Sequence, residues 1–267
     1  MPEDTPAGAE PEPIVVRSRH GKVELVRINR ESARNAIDGP TSQALGSTFD
    51  ELAEDPEVWA VVLTGTGERA FCAGMDLKAF ATGQIGDIMS TSGGFAGLAR
   101  REFAKPLVAA VNGAALAGGC EIVLSCDLVV AAEHAVFGVP EVKRGLVAAA
   151  GGMIRLPRRL PYAVALELLL TGDPIDARRA YELGLVNKVV PADEVVTAAL
   201  ELAERICANA PKAVRDSKRV ARRSMDLTEE DAWGLNAEVT AEIFVSHDAL
   251  EGAVAFAEKR PPVWTGG

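Results

Sequence analysis

Two carboxylates and two glycine-marked loops are the groups in this chain whose types and spacing could do chemistry. Glu121 lies three residues past Gly118 at the head of an otherwise apolar run, Ile122-Val123-Leu124. Glu141 follows in FGVPEVKRG, between Pro140 and Val142, at a turn that could throw a side chain into a cleft. Taken singly, each acid is either a helix-dipole partner or solvated ion-pair member, or else a buried functional group. Taken together in one cleft, they would form a general acid/base pair whose mutual repulsion keeps one of them protonated near neutral pH. The glycines are Gly74, before Met75-Asp76, and Gly118-Gly119, before Cys120-Glu121; each set follows an apolar strand and opens a helix. Helix starts expose unpaired N–H groups, and two of these aimed at one point make an oxyanion hole, the device a carbonyl needs as it becomes an enolate. The alternative is that the glycines only let segments pack closely.

Other chemistries find less support. Gly65-x-Gly67-x-x-Ala70 after VVLT, with Asp87 downstream, matches a loose dinucleotide fingerprint, but the next residues, Phe71-Cys72-Ala73-Gly74, open no helix inside the motif. There is no GxSxG for a serine hydrolase, and His20, His134 and His247 lie far apart without metal-ligand spacing, so no metal is expected. Cys72, Cys120, Cys126 and Cys207 form no CxxC pair and suit buried free thiols in a reducing compartment. The basic run Lys212, Arg215, Lys218, Arg219, Arg222, Arg223 follows one helix with acids on either side and reads as a solvated face, with RNA binding as the alternative.

The elements that would hold these groups follow from periodicity. Residues 14–30 alternate around His20-Gly21 as a hairpin, and 40–54 carry Leu45, Phe49 and Leu52 at helical spacing behind a start signal at Asp38 and Pro40. Then a strand-loop-helix grammar recurs: strand 58–64, loop GTGERAFCAG and a helix opening at Met75 or Asp76; strand 106–112, loop GAALAGG and helix CEIVLSC; strand 127–132 and a turn-rich stretch over 137–145. Such repetition points to an α/β fold with parallel strands covered on both faces. After about residue 153 the pattern predicts helices only, over 162–170, 176–183, 192–208, 211–224, 228–245 and 248–259, with Asp248 and Glu251 as a capping box for the last.

With 267 residues and 48% hydrophobic residues, the chain can build one large core or two small ones. We expect a disordered tail over 1–13, a core carrying the active site over 14–200 and a helical subdomain over 201–267. The formal charge of −10 opposes non-specific attraction to nucleic acid or an anionic membrane. No apolar run approaches the roughly 18 to 20 residues that span a bilayer, and the first residues lack the apolar stretch of a signal peptide, so a cytoplasmic protein is expected.

Across residues 14–267 the sequence resembles the crotonase (enoyl-CoA hydratase/isomerase) family. The carriers are NRESARNAID (29–38), VVLTGTGERAFCAGMDLKAF (61–80), KPLVAAVNGAALAGGCEIVLSCDLVVA (105–131), FGVPEVKRGL (137–146), ALELLLTGDPIDARRAYELGLVNKVVP (165–191) and EGAVAFAEKRPPVW (251–264), in family order. The resemblance implies a spiral of repeated ββα units, followed by helices that build trimers, often paired into hexamers. It implies acyl-CoA thioester substrates, oxyanion-hole N–H groups at Met75 and Gly118, and catalytic acids at Glu121 and Glu141. Arg34, Asn35 and Ala36, with Ala73, Gly74, Asp76 and Leu77, match the lining of the CoA groove; Phe256 and Lys259 match a contact to CoA across a subunit boundary. Both acids together imply reversible hydration of a 2,3 double bond with no separate cofactor, double-bond isomerisation being the rival within the family. Among subgroups the likeness is strongest to carnitinyl-CoA dehydratase, through GGFAGL (93–98), the PEVKRG turn and the ending AFAEKRPPVW. Two departures stand out: Ala117 where a third glycine is common, and LVAAAGG (146–152) in place of a Pro- and Gly-rich run.

Overall fold

The computed structural model describes residues 12–83, 85–89 and 91–266, so all but the last two positions of the expected tail lie outside the described residues. β1 (Val15–His20) and β2 (Val23–Ile28) pair antiparallel across Gly21, as the alternation predicts. The chain then enters α1 (Gly39–Glu54), capped by Asp38, whose carboxylate accepts the Thr41 N–H at 2.9 Å. From β3 (Ala60–Gly65) onward a single unit repeats. β3 is followed by β4 (Ala70–Cys72) and the short helices α2 (Leu77–Ala81) and α3 (Ile85–Met89). β5 (Leu107–Val111) is followed by β6 (Ala114–Leu116) and α4 (Gly118–Ser125). β7 (Leu128–Ala132) is followed by β8 (Val136–Gly138), a 3₁₀ turn over Pro140–Arg144, α5 (Gly152–Arg159) and α6 (Tyr162–Thr171).

The first strand of each unit joins one sheet and the second joins another. The six-stranded sheet runs β1-β2-β3-β5-β7-β10 and the four-stranded sheet β4-β6-β8-β9, where β9 is Ile175–Asp176 and β10 is Lys188–Val190. This alternation of sheets at each turn is the ββα spiral that the resemblance implies. The strand-loop-helix reading catches only the first strand of each unit. β4, β6 and β8 have three residues apiece, too few to show a period, and they lie inside the segments read as loops or turns. β9 and β10 likewise correct the expectation of helices alone after residue 153, and α5 escapes notice because Pro157 interrupts an arginine-rich segment.

After β9 come α7 (Ala177–Glu182), β10 and α8 (Val195–Cys207). α8 packs across β2, β3, β5 and β7 and covers one face of the large sheet, which explains why every residue of β3 and β5 is buried. Residue 200 lies inside this helix. The remaining chain forms α9 (Pro211–Ser224), α10 (Glu229–Phe244) and α11 (His247–Glu258). α11 is not capped by the predicted box. Ser246 caps it through the Ala249 N–H, while Asp248 accepts the N–H groups of Thr265 and Gly266, and Glu251 pairs with Arg260 at 2.7 and 2.9 Å. Both acids therefore hold the C-terminal segment down instead of starting the helix. Among the described residues, no helix is long and apolar enough to cross a membrane.

Candidate active site

The first turn of α4 is placed by its approach to β4. A Cβ at position 119 would stand 1.9 Å from the Cys72 carbonyl oxygen, so only glycine lets the helix begin there. Just before it, Ala117 takes φ 51 and ψ −128, a positive-φ conformation at the point where the chain passes from β6 into α4. Glu121 thereby enters the interior with 2% of its surface exposed, and its Oε1 accepts the Gly152 N–H at 2.8 Å. Burial pushes its carboxyl up to about 7; the Gly152 bond opposes the shift and repulsion from Glu141 adds to it. Glu141 sits on the 3₁₀ turn. Its Oε2 is shielded from solvent with no hydrogen-bond partner among the described residues, and burial raises its carboxyl above the ordinary range. An orphaned carboxylate oxygen is costly unless a ligand or water meets it.

The second loop lies against the first. Ile37 N–H donates to the Gly74 carbonyl and Asp76 N–H donates to the Ile37 carbonyl, both at 2.8 Å, so this short parallel bridge turns the intervening Met75 N–H to the opposite side. Gly74 has φ +93, and a Cβ there would stand 2.9 Å from the Gly118 nitrogen. The backbone of Gly74, one residue before Met75, thus lies against that of Gly118. Gly118 is the first residue of α4 and has no intrahelical acceptor; among the described residues neither N–H donates to a protein oxygen. The Phe95 ring closes over Gly118, two of its carbons lying 2.6 Å from where a Cβ would be.

The other residues singled out in sequence divide clearly. Arg34, Asn35 and Ala36 run beside Ala73, Gly74, Asp76 and Leu77, joined by the Ala73 N–H to the Arg34 carbonyl at 3.0 Å. Within this strip the Asn35 side chain is fully buried and committed to the backbone, donating to Thr66 and Ala70 and accepting from Arg30. Arg34 and Leu77 are exposed. Phe256 and Lys259 do not join the cleft of their own chain: Phe256 is 87% exposed on α11, which packs against α10. Gly65 and Gly67 lead into β4 with Gly67 at φ +81, so the dinucleotide turn is absent.

Sequence reading missed two contributors. Arg30 donates to the Ala36 carbonyl and pairs with Asp38 at 2.9 Å and Asp76 at 3.3 Å, tying the caps of α1 and α2 to the Met75 loop. No spacing rule links these three residues. Gly152 holds Glu121, and its only sequence signal is the Gly-Gly pair closing LVAAAGG. Among the described residues no cluster of His, Cys, Asp and Glu could hold a metal ion.

Backbone donors without a protein acceptor, with carboxyls that burial raises, are the kinds of group that stabilise a developing oxyanion and move protons at neighbouring atoms. The family model described as enoyl-CoA hydratase/isomerase matches residues 18–267. The chain belongs to this family. A carnitinyl-CoA dehydratase of Proteus mirabilis (strain HI4320) is 41% identical over 251 residues, covering 92% of this chain and 96% of that protein. The crystal structure of enoyl-CoA hydratase from Mycobacterium tuberculosis H37Rv superposes with a TM-score of 0.92 at 46% identity, covering 96% of this chain and all of that one. Carnitinyl-CoA hydratase from Mycobacterium avium is 49% identical with a TM-score of 0.75, covering 95% of this chain and 99% of that one. The α/β spiral is therefore that of the enoyl-CoA hydratase/isomerase family along nearly the whole chain.

Proposed function

We propose that the protein is an enoyl-CoA hydratase, a lyase that adds water reversibly across the 2,3 double bond of an acyl-CoA thioester. The observation that carries this reading is the pair of the buried Glu121 and the half-buried Glu141, whose carboxyls burial holds above the ordinary carboxylate range, in a fold whose Gly74 and Gly118 loops touch. In this reading the Met75 and Gly118 N–H groups donate hydrogen bonds to the thioester oxygen as it gains enolate charge. Glu121, oriented by Gly152, takes a proton from water as its oxygen bonds to C3, and Glu141 gives a proton to C2; dehydration runs the same transfers backward. Thioester and oxyanion hole supply the activation, so no separate cofactor enters. Having two carboxyls favours hydration over isomerisation, which one acid could perform, and product analysis separates them.

CoA would lie along Arg34–Ala36 and Ala73–Leu77. Phe256 and Lys259 would reach it from a neighbouring copy, which fits a trimer or hexamer built by the helices after α8. Four free cysteines, three of them buried, suit the reducing cytoplasm. A second reading has a specific observation behind it: curated relatives at 41 to 42% identity are named carnitinyl-CoA dehydratase. For such a substrate a trimethylammonium group would need aromatic or acidic company. Tyr162, Tyr181 and Trp233 are largely exposed, and Phe95 is the ring found packed on Gly118. The general reading is therefore preferred. A panel of enoyl-CoA thioesters, followed by loss of the conjugated thioester absorbance, tests it. A preference above about 100-fold for crotonobetainyl-CoA over crotonyl-CoA, roughly 2.7 kcal/mol in the transition state, would reverse the order.

A further inference from the structure

The short helix α5 does more than bring Gly152 to Glu121. Three residues further on, the half-buried side chain of Arg155 reaches back and joins the segments around that carboxyl. Its Nη2 donates to the Ala99 carbonyl at 2.7 Å, and its Nη1 donates to Ser125 Oγ at 3.2 Å and to the Ala150 carbonyl at 3.4 Å. Ser125 in turn donates to the Glu121 carbonyl at 2.9 Å, so the guanidinium ties the first turn of α5 to the last residue of α4. The Ala99 contact draws in the segment that carries Phe95 over Gly118. Gly151, at φ +114, leaves room for the group: a Cβ there would stand 2.5 Å from Arg155 Nη1. Among the described residues the acceptors of Arg155 are two carbonyls and a hydroxyl, with no carboxylate. Burial and Arg222 of α9 disfavour its charge, and the strongest influence in favour of that charge is Glu121.

We infer that Arg155 is a positioning residue for Glu121, fixing the helix that orients this carboxyl and holding a permanent positive charge near it. The inference rests on the reading of Glu121 as the base that takes a proton from water. A base must be ionised to act, and burial pushes the Glu121 carboxyl up to about 7, with repulsion from Glu141 adding to the shift. Gly152 and Arg155 oppose it. The backbone N–H offers one oxygen a partial charge, whereas a guanidinium keeps a full charge at every working pH. The other groups facing the pair do not replace it. Cys120 on α4 and Cys126 just after it are thiols that burial pushes up to about 12, so they stay neutral. Arg144 acts on Glu141, and Arg158 and Arg222 act on Arg155 as like charges.

The test titrates the Glu121 carboxyl by carbon-13 NMR in the full chain labelled at glutamate side-chain carboxyls, in a Glu141→Gln background that removes the coupled acid. The signal of Glu121 is the one lost on adding Glu121→Gln. Arg155→Gln and Arg155→Met should raise its midpoint by about one pH unit, and Arg155→Lys, which keeps the charge, should leave it nearly in place. The second arm is the pH profile of crotonyl-CoA hydration with Glu141 restored. Its acid limb should move to higher pH in the Gln and Met variants and stay in the Lys variant. An unchanged midpoint in the neutral variants overturns the proposal, as does a hydration rate lowered by the same factor at every pH. Failure of both neutral variants to fold also overturns it, since Arg155 would then serve the fold alone. A wild type that hydrates no enoyl-CoA would sink the hydratase reading, while the NMR midpoints would still decide whether Arg155 sets the charge of Glu121.

Discussion

The Gly152 N–H donates to Glu121 Oε1 at 2.8 Å, joining the first turn of α4 to the first residue of α5. One oxygen of a buried carboxyl is fixed in place by a backbone group that cannot rotate away. A Cβ at position 152 would stand 2.7 Å from the Ala148 Cβ and 3.2 Å from Glu121 Oε1. Gly152→Ala should therefore shift Glu121 and lower turnover about tenfold, with about 1 to 3 kcal/mol lost in stability from overpacking. Steady-state kinetics beside a urea melt checks this, and unchanged turnover would remove Gly152 from the positioning of Glu121.

Stability should depend on pH through Glu121. Its folded carboxyl lies at about 7 against an ordinary 4.5, so the folded state binds the proton more tightly than the unfolded one. Its contribution is fully present below about pH 4.5. It is lost as pH rises toward and through 7, by an amount on the order of 3 kcal/mol. Glu121→Gln cannot ionise, so it should gain on the wild type between pH 5 and 8. Parallel urea melts across that range decide the matter, and a constant difference between the two proteins would contradict the assigned shift.

Ala117 sits at φ 51 and ψ −128, a conformation that glycine adopts more readily. Ala117→Gly should raise unfolding stability by about 1 kcal/mol, the relief of backbone strain exceeding the added freedom of the unfolded chain. A lower melting temperature in the variant would show that the Ala117 methyl contributes more through packing than its backbone costs.

Much of the spiral was legible because its long buried strands and amphipathic helices announce themselves. Val61, Val62 and Leu63 sit in an unbroken apolar run, and Asp38 caps α1 as its position before Pro40 suggests. What stayed hidden was the second strand of each unit, since three residues such as Ala70-Phe71-Cys72 show no alternation when both faces are buried. The same limit applies to the candidate site. Glu121 and Glu141 could be singled out as acids in apolar or turn contexts, and the glycines as helix starts, but the contact between Gly74 and Gly118 joins separate units of the spiral. Asn35, matched to the CoA strip, has a side chain spent on the Thr66 and Ala70 carbonyls after β3, which no spacing in the sequence announces.

The helices after α8 leave Phe244, Val245, Leu250 and Phe256 between 68 and 87% exposed. Apolar surface of this kind is usually covered by another chain. Multi-angle light scattering should return a trimer or hexamer at micromolar protein, and a Phe244→Glu substitution should shift it toward smaller species. A monomeric wild type would contradict both the assembly and the contribution of Phe256 and Lys259 to a neighbour's CoA.

Gly118→Pro would remove one of the two donors proposed to hold the thioester oxygen. Loss of a single such donor costs on the order of 10²- to 10³-fold in turnover. Circular dichroism establishes whether the variant is folded, and a folded variant with full activity would exclude the Gly118 N–H from the mechanism.

The most direct measurement is the hydration rate of crotonyl-CoA, followed by loss of its conjugated thioester absorbance, in the wild type, Glu121→Gln and Glu141→Gln. The wild type should hydrate crotonyl-CoA and each variant should lose on the order of 10²-fold or more of that rate, with folding and CoA affinity retained. Near-wild-type hydration by either variant would contradict it, because the two proton transfers at C2 and C3 would then not depend on this pair.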